Sequence, residues 1–445
     1  MKGDFSRLTF DPAKQFSRVL TQQGRVQLDA DWNEQASLLL YHLRTLASAV
    51  IGPYGGVEPD ALKITAGASD APRPGLAVGA GNYFVNGILC ANNSGTLPFT
   101  QPDSGKAAND DRMNAGDYLV YLSVAERHIT FVNDDDIREK ALGDGVDTAS
   151  RTKVVATVSA VAVDNLTKLA GDERVKAINK ALARLRPGDR APTMRASLED
   201  PNAKPQDICT VPPFARFRGA GNQLYRVEIH KPSKDSQGNS QVPTFKWSRD
   251  NGSVVFPVTG QANGNKVPIN RFGRDGRFAL QKGDWVEFED DDLIASGKYF
   301  KLARVEYVDS DSVTLDSAPP ANFGSNPAKH PLLRRWDHAT PQAGATYNQD
   351  GIAIQSENRA YPLEQGIQVE FKAEGHDYLR GDYWVIPART LTGSIDWPDK
   401  QYLPARRAEG GVAPLAAITI DASGRLSGTP TDLRSLIQPI AKPVF

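Results

Sequence analysis

Between Trp32 and Val50 the apolar residues Trp32, Ala36, Leu39, Leu40, Leu43, Leu46, Ala47 and Val50 follow one another at helical spacing. That spacing lines them up on one stripe of an amphipathic helix. Asp31 stands where an N-cap is expected, and Glu34 is placed to complete a capping box. Gly52-Pro53 stops the helix, because proline lacks the next amide and clashes with the preceding turn. Upstream, Phe16–Leu20 and Arg25–Leu28 flank Gly24 and predict two short strands around a glycine turn. Met1 to Phe16 is too apolar for an unattached tail. Two uses of this stretch compete: the helix packs on its own domain, or arm and helix dock a neighbouring subunit. The second use puts Phe5, Arg7, Leu8, Phe10, Phe16 and Trp32 at the contact.

Behind the helix the chain reads as strands. It has 38 glycines and 30 prolines, a density that favours short strands and turns. Asn86-Gly87 predicts a hairpin, and so does Asp250-Asn-Gly252 between Phe245–Arg249 and Ser253–Val258. Tyr118–Val132 and Thr152–Val163 are the clearest strands, and Asp172–Arg186 is a second helix. Gly283-Asp-Trp and Gly381-Asp-Tyr-Trp look like matching turn-to-strand starts. The fold class expected is mainly β, with sandwich or small-barrel modules behind an N-terminal amphipathic helix, α+β overall. The divisions expected are an anchor at 1–53, a β-rich domain with one helix at 54–186 and a linker at 187–213. A barrel or sandwich module at 214–318 and a C-terminal β module at 319–445 complete the chain.

The chemistry sought in the residues is largely missing. There is no His-Glu-x-x-His, Cys-x-x-Cys, Gly-x-Ser-x-Gly or phosphate-cradling glycine loop. Hence no catalytic, cofactor or metal residues are assigned, and the chain is expected not to be an enzyme. Lys plus Arg is 52 against 53 Asp plus Glu, which gives no electrostatic reason to expect nucleic acid. Cys90 and Cys209 rule out a disulfide framework by count. The acidic clusters Asp134–Asp136, Asp144 with Asp147, Glu289–Asp292 and Asp309 with Asp311 fit solvated turns better than calcium loops. Trp247, Trp285, Trp336, Trp384 and Trp397 suit module cores better than a sugar platform. Arg334-Arg-Trp-Asp-His338 predicts a buried cation–π and ion-pair cluster at a domain junction. The stretch 100–116 is polar and loop-like. With no apolar leader and no bilayer-length run, the expected location is the cytoplasm, with no direct membrane insertion.

Several long stretches resemble a bacterial family of unknown function. They are Met1-Lys-Gly-Asp-Phe-Ser-Arg7, Phe16 to Gln35, Ala141–Gly143 with Asp147–Arg151, Asn222–His230, Phe245–Pro257 and Gly381–Arg389. The family is DUF6519, whose members occur among components of phage-tail-like contractile injection systems. The resemblance implies a structural part near baseplate, spike or fibres, assembled into a particle as a trimer or hexamer with other tail subunits as partners. It supplies no catalytic residues and no cofactors. The alternatives are a carbohydrate- or receptor-binding tail module and a tail-associated hydrolase.

Overall fold

The computed structural model describes residues 1–68, 74–93, 97–98, 113–142, 147–185, 191–199, 216–235, 237–270, 278–297, 299–338 and 347–437. Cys209, Asp144 and most of the 100–116 stretch lie outside these residues. Strands dominate, and all the pairings between named strands are antiparallel. The mainly β, α+β class predicted above is the one found.

Three β units follow from three patterns of burial. In the first, the long strands Gly116–Ile129 and Arg151–Ala162 join Gly410–Ile420 and Leu426–Asp432 in a four-stranded sheet. Alternation along Gly116–Ile129 sends Val120, Leu122 and Val124 to one face and Leu119 to the other. The first face packs on small sheets built from residues 54–98. The second receives helix α2 (Gly171–Leu185) through Ile178, Ala181 and Leu182. Asn86-Gly87 forms the predicted hairpin, with both residues at the positive φ a tight turn requires.

The second unit is a sandwich. One sheet has six strands in the order 347–348, 351–353, 244–248, 223–231, 383–389, 394–395. Its partner sheet runs 361–362, 367–372, 193–198, 403–404. Tyr225, Val227, Phe245, Trp247, Val369 and Phe371 fill the space between them. The third unit is a barrel of six strands, 255–257, 332–336, 285–289, 303–308, 312–315 and 266–268. A Val258–Ile269 bridge and the Asn270 amide on the Pro257 carbonyl (2.9 Å) close it. Closure removes the open sheet edges, and Phe256, Val286, Phe288 and Leu333 fill the interior.

The chain order of these units departs from the expected divisions. Thr193–Leu198, placed in the linker, is a central strand of the sandwich, with Met194 and Ala196 turned inward. Its period-two pattern is only six residues long and is hidden among prolines. Residues 410–432, placed in the C-terminal module, return to the first sheet: Gly410–Ile420 pairs with Gly116–Ile129, and Leu426–Asp432 pairs with Gly410–Ile420. Asp250-Asn-Gly252 is not a hairpin either. Its turn geometry is present, with Asn251 and Gly252 at positive φ, but the flanking strands lie in different sheets. A tight turn fixes local backbone direction, not which strand becomes the neighbour. The Gly-Asp match is real at the local level. Gly283 and Gly381 both have positive φ, and Asp284 and Asp382 each accept from the amide three residues back, at 2.9 and 3.1 Å.

Candidate docking segment and the junction that anchors it

The sandwich and the barrel meet through a layer of charge. In strand 223–231 the odd residues enter the sandwich core, so Arg226, Glu228 and His230 face outward. The charged residues on the outward faces of the neighbouring strands are Lys246 in 244–248, Glu287 and Glu289 in 285–289, and Arg334 in 332–336. All are buried. Arg226 Nε donates to Glu228 at 2.6 Å, and Lys246 lies 3.3 Å from Glu228 and pairs with Glu287. Arg334 grips both oxygens of Glu289, at 2.8 and 2.7 Å. Trp336 donates its indole N–H to Glu287 (3.0 Å) and lies under Lys246 (4.3 Å to the ring). The Arg334–His338 cluster therefore sits at the junction as predicted, except that the cation over the tryptophan is a lysine from another strand.

Electrostatics follow from this pairing. Burial alone would raise the carboxyls of Glu228, Glu287 and Glu289. The cations outweigh it: Lys2, Arg226 and Lys246 hold Glu228 well below its usual range, and Arg334 and Lys2 do the same for Glu289. Lys246 and Lys2 bring Glu287 to about 2. Burial drives His338 down to about 3 and His230 well below its usual value. Neither histidine has a hydrogen-bond partner on its ring nitrogens among the described residues.

The first ten residues are tied into this layer. Lys2 Nζ reaches Glu289 at 3.0 Å and Glu228 at 3.5 Å. The Met1 carbonyl accepts from Arg226 (3.1 Å), and the Gly3 carbonyl accepts from Asn251 Nδ2 (2.9 Å). The misread turn at 250–252 thus holds the arm. Phe5 and Leu8 cover Leu224, Tyr383 and Val385, the part of the sandwich's outer face beside the charge layer. The Phe10 ring lies tilted against that of Tyr41 at 5.8 Å, and Arg7 is half-buried. Of the residues expected at a docking contact, Phe5, Leu8 and Phe10 are thus engaged by their own chain. Phe16 and Trp32 are exposed.

Asn251→Ala should loosen this attachment, because alanine loses the bond to Gly3 and disfavours the left-handed backbone by about 1–2 kcal/mol. Hydrogen exchange should accelerate several-fold in residues 1–8 and stay unchanged in 223–231; equal change in both would refute a local clasp.

Beyond the arm the chain is open. From Gln15 to Leu28 there is a turn at Gly24 but no strand pairing. The two expected strands are absent because neither finds a neighbour to complete its hydrogen bonds. Phe16, Leu20, Val26 and Leu28 are exposed. Helix α1 (Asp29–Ile51) also begins differently from expectation. Leu28 is its N-cap and makes no side-chain cap bond. Asp29 accepts from the Ser6 amide (2.9 Å), and Glu34, the acid expected to close the capping box, accepts from the Thr9 hydroxyl instead. Ala30 and Leu38 are buried against the body, and Arg44 pairs with Glu126 and Glu409. The opposite face is bare: Trp32, Leu39, Leu43, Leu46 and Val50 are each at least 60% exposed.

Gly87 lets the helix lie this close. A Cβ there would come within 2.4 Å of the Arg44 carbonyl oxygen, and φ is +72°. Gly87→Ala should cost about 1–3 kcal/mol through strain and displacement of α1, seen as a lower melting temperature. An unchanged value would mean that α1 is not seated there.

The residues weighed above for other chemistry have these positions in the structure. Trp247, Trp285, Trp336 and Trp384 are buried, which leaves no exposed aromatic platform among them. Among the described residues no group of three or more His, Cys, Asp or Glu side chains could hold a metal ion. Asp291 and Asp292 are occupied by Arg127, His330 and Lys329. Burial pushes the Cys90 thiol up to about 12. No helix among the described residues is long and apolar enough to cross a membrane.

Sequence reasoning missed Lys2, Glu228 and Glu287, and it placed Glu289 in a solvated acidic turn, whereas Glu289 ends a strand and is buried against Arg334 and Lys2. For the three glutamates the available signal was charge at every second position in strands whose intervening residues are strongly apolar, which marks strands covered on both faces.

A family model described as "Family of unknown function (DUF6519)" matches residues 1–188 and 163–416. No curated protein and no solved structure matches the chain.

Proposed function

The chain belongs to the DUF6519 family, and from that premise we propose that it is a structural subunit of a phage-tail-like contractile injection system. In this reading residues 16–50 dock it to a neighbouring subunit of the particle, in the baseplate, spike or fibre region. It performs no catalysis and works in the cytoplasm of the producing cell until assembly. The observation that supports the reading is the long uncovered apolar surface from Phe16 to Val50, carried on a body that clamps residues 1–10 and one side of α1. Apolar surface of this extent is seldom left to water and marks a contact site. The clamp orders the segment beforehand, which lowers the entropy cost of docking.

The test is incorporation. Particles purified from cells carrying the gene should contain the chain, and Phe16→Asp with Val26→Asp should remove it from particles by at least tenfold. Both positions are exposed, so the variant should fold normally by circular dichroism. A folded variant that still enters particles at the normal level overturns the reading.

A further inference from the structure

The bare face of α1 has a more specific form than a hydrophobic patch. Trp32, Ala36, Leu39, Leu43, Leu46 and Val50 stand at intervals of four, three, four, three and four. This is the alternating spacing of the a and d positions of a coiled coil, held without a break to the end of the helix. A helix packed on the surface of its own domain normally turns such a stripe inward. Here the positions that touch the body, Ala30, Leu38 and Arg44, fall at b and c of the same heptad, opposite the stripe. The fold thus holds α1 by its back and presents the seam outward.

The flanking positions indicate what covers the seam. Coiled coils select unlike partners through charges at e and g. In α1 these positions are Asn33, Gln35, Leu40, His42, Ala47 and Ala49, with no Lys, Arg, Asp or Glu among them. The helix's charged residues are Asp29, Asp31, Glu34 and Arg44, and three of them are already bonded to the chain itself: Asp29 to Ser6, Glu34 to Thr9, Arg44 to Glu126 and Glu409. Identical helices can therefore meet along this seam with no like charges opposed. Leu40, exposed at e, and Ala47 widen the apolar arc beyond a strict a/d line. A wider arc suits more than two helices. Three identical helices around one cyclic axis must run parallel.

We infer that α1 joins three copies of this chain in a parallel three-helix coiled coil, with Trp32 through Val50 as its seam. The inference rests on the docking reading above only in using the same segment. It names a second and third copy as the first neighbours, and it leaves residues 16–28 to contact other subunits.

The experiment uses the purified full chain without particles. Light scattering coupled to gel filtration should give the mass of three chains for the wild type. Leu39→Glu with Leu43→Glu should give one chain, with an unchanged circular dichroism spectrum. Thr45→Lys, at an exposed c position, should remain trimeric. A second measurement does not depend on a disruptive variant. Leu46→Cys should cross-link to its own counterpart on mild oxidation, because d positions face one another in a parallel bundle, whereas Thr45→Cys should not. A monomeric wild type at all concentrations overturns the inference. A trimer that survives the double glutamate variant, or equal cross-linking at 45 and 46, also overturns it. The two readings fail separately: a trimer that never enters particles removes the particle and keeps the coil, and a monomer that does enter them has the reverse effect.

Discussion

Replacing Glu287 by alanine should destabilise the protein by about 3–5 kcal/mol, the cost of breaking a buried ion pair from one side. Glu287 pairs with Lys246, accepts from the Trp336 indole and lies 3.5 Å from Arg380. Its removal leaves Lys246, a cation that burial already disfavours, with Glu228 as its remaining carboxylate. Urea unfolding followed by tryptophan fluorescence should show a large fall in the midpoint. Glu306→Ala, at an exposed site, should scarcely move it. The double replacement Glu287→Leu with Lys246→Met should recover most of the loss, since apolar residues of similar volume often replace a buried pair at little cost. If the single and double variants are equally unstable, the layer acts through packing and the charge argument fails.

Acid should act on the same layer in two stages. His338, held down to about 3, and His230 are neutral when folded but take up a proton near pH 6.5 once unfolded. A depressed folded value means that stability is whole above pH 6.5 and is lost as pH falls toward the folded value. For His338 alone the loss at pH 4 is on the order of 3 kcal/mol. Glu228, Glu287 and Glu289 are also depressed, so their contribution is whole above about pH 4.5 and disappears below it. Melting temperature should be nearly flat down to about pH 6.5, decline from there, and drop steeply below about pH 4.5. His338→Phe should keep neutral-pH stability within about 1.5 kcal/mol, because the ring stacks on Trp285 (5.7 Å) and its nitrogens bond to no described residue. It should also make the decline between pH 6.5 and 4.5 shallower. An unaltered slope in that variant would show that His338 is not a source of the acid sensitivity.

Local features were legible where one short pattern decided them. The apolar stripe of α1, the helix at 171–185 and the Asn86-Gly87 turn depend on spacing and on residues that tolerate positive φ. The errors occurred where neighbours decided. Asp31 and Glu34 have the spacing of a capping box, yet the returning arm competes for the helix start and the cap falls at Leu28. Asp250-Asn-Gly252 has the chemistry of a hairpin turn and is used to cross between sheets and to hold the Gly3 carbonyl. Phe5 and Leu8 are as apolar as Phe16, and nothing in their spacing tells which of them finds cover.

From its residues alone this chain could be known as a mainly β protein with a leading amphipathic helix, because periodicity and turn chemistry act within a few residues of one another. The seam of α1 was written there as well. Only the tertiary structure decided that the seam faces outward, that residues 410–432 close the first sheet, and that four strands share a buried layer of paired charge. Those outcomes depend on contacts between segments tens to hundreds of residues apart, and strand pairing, unlike helix formation, takes its partners from anywhere in the chain.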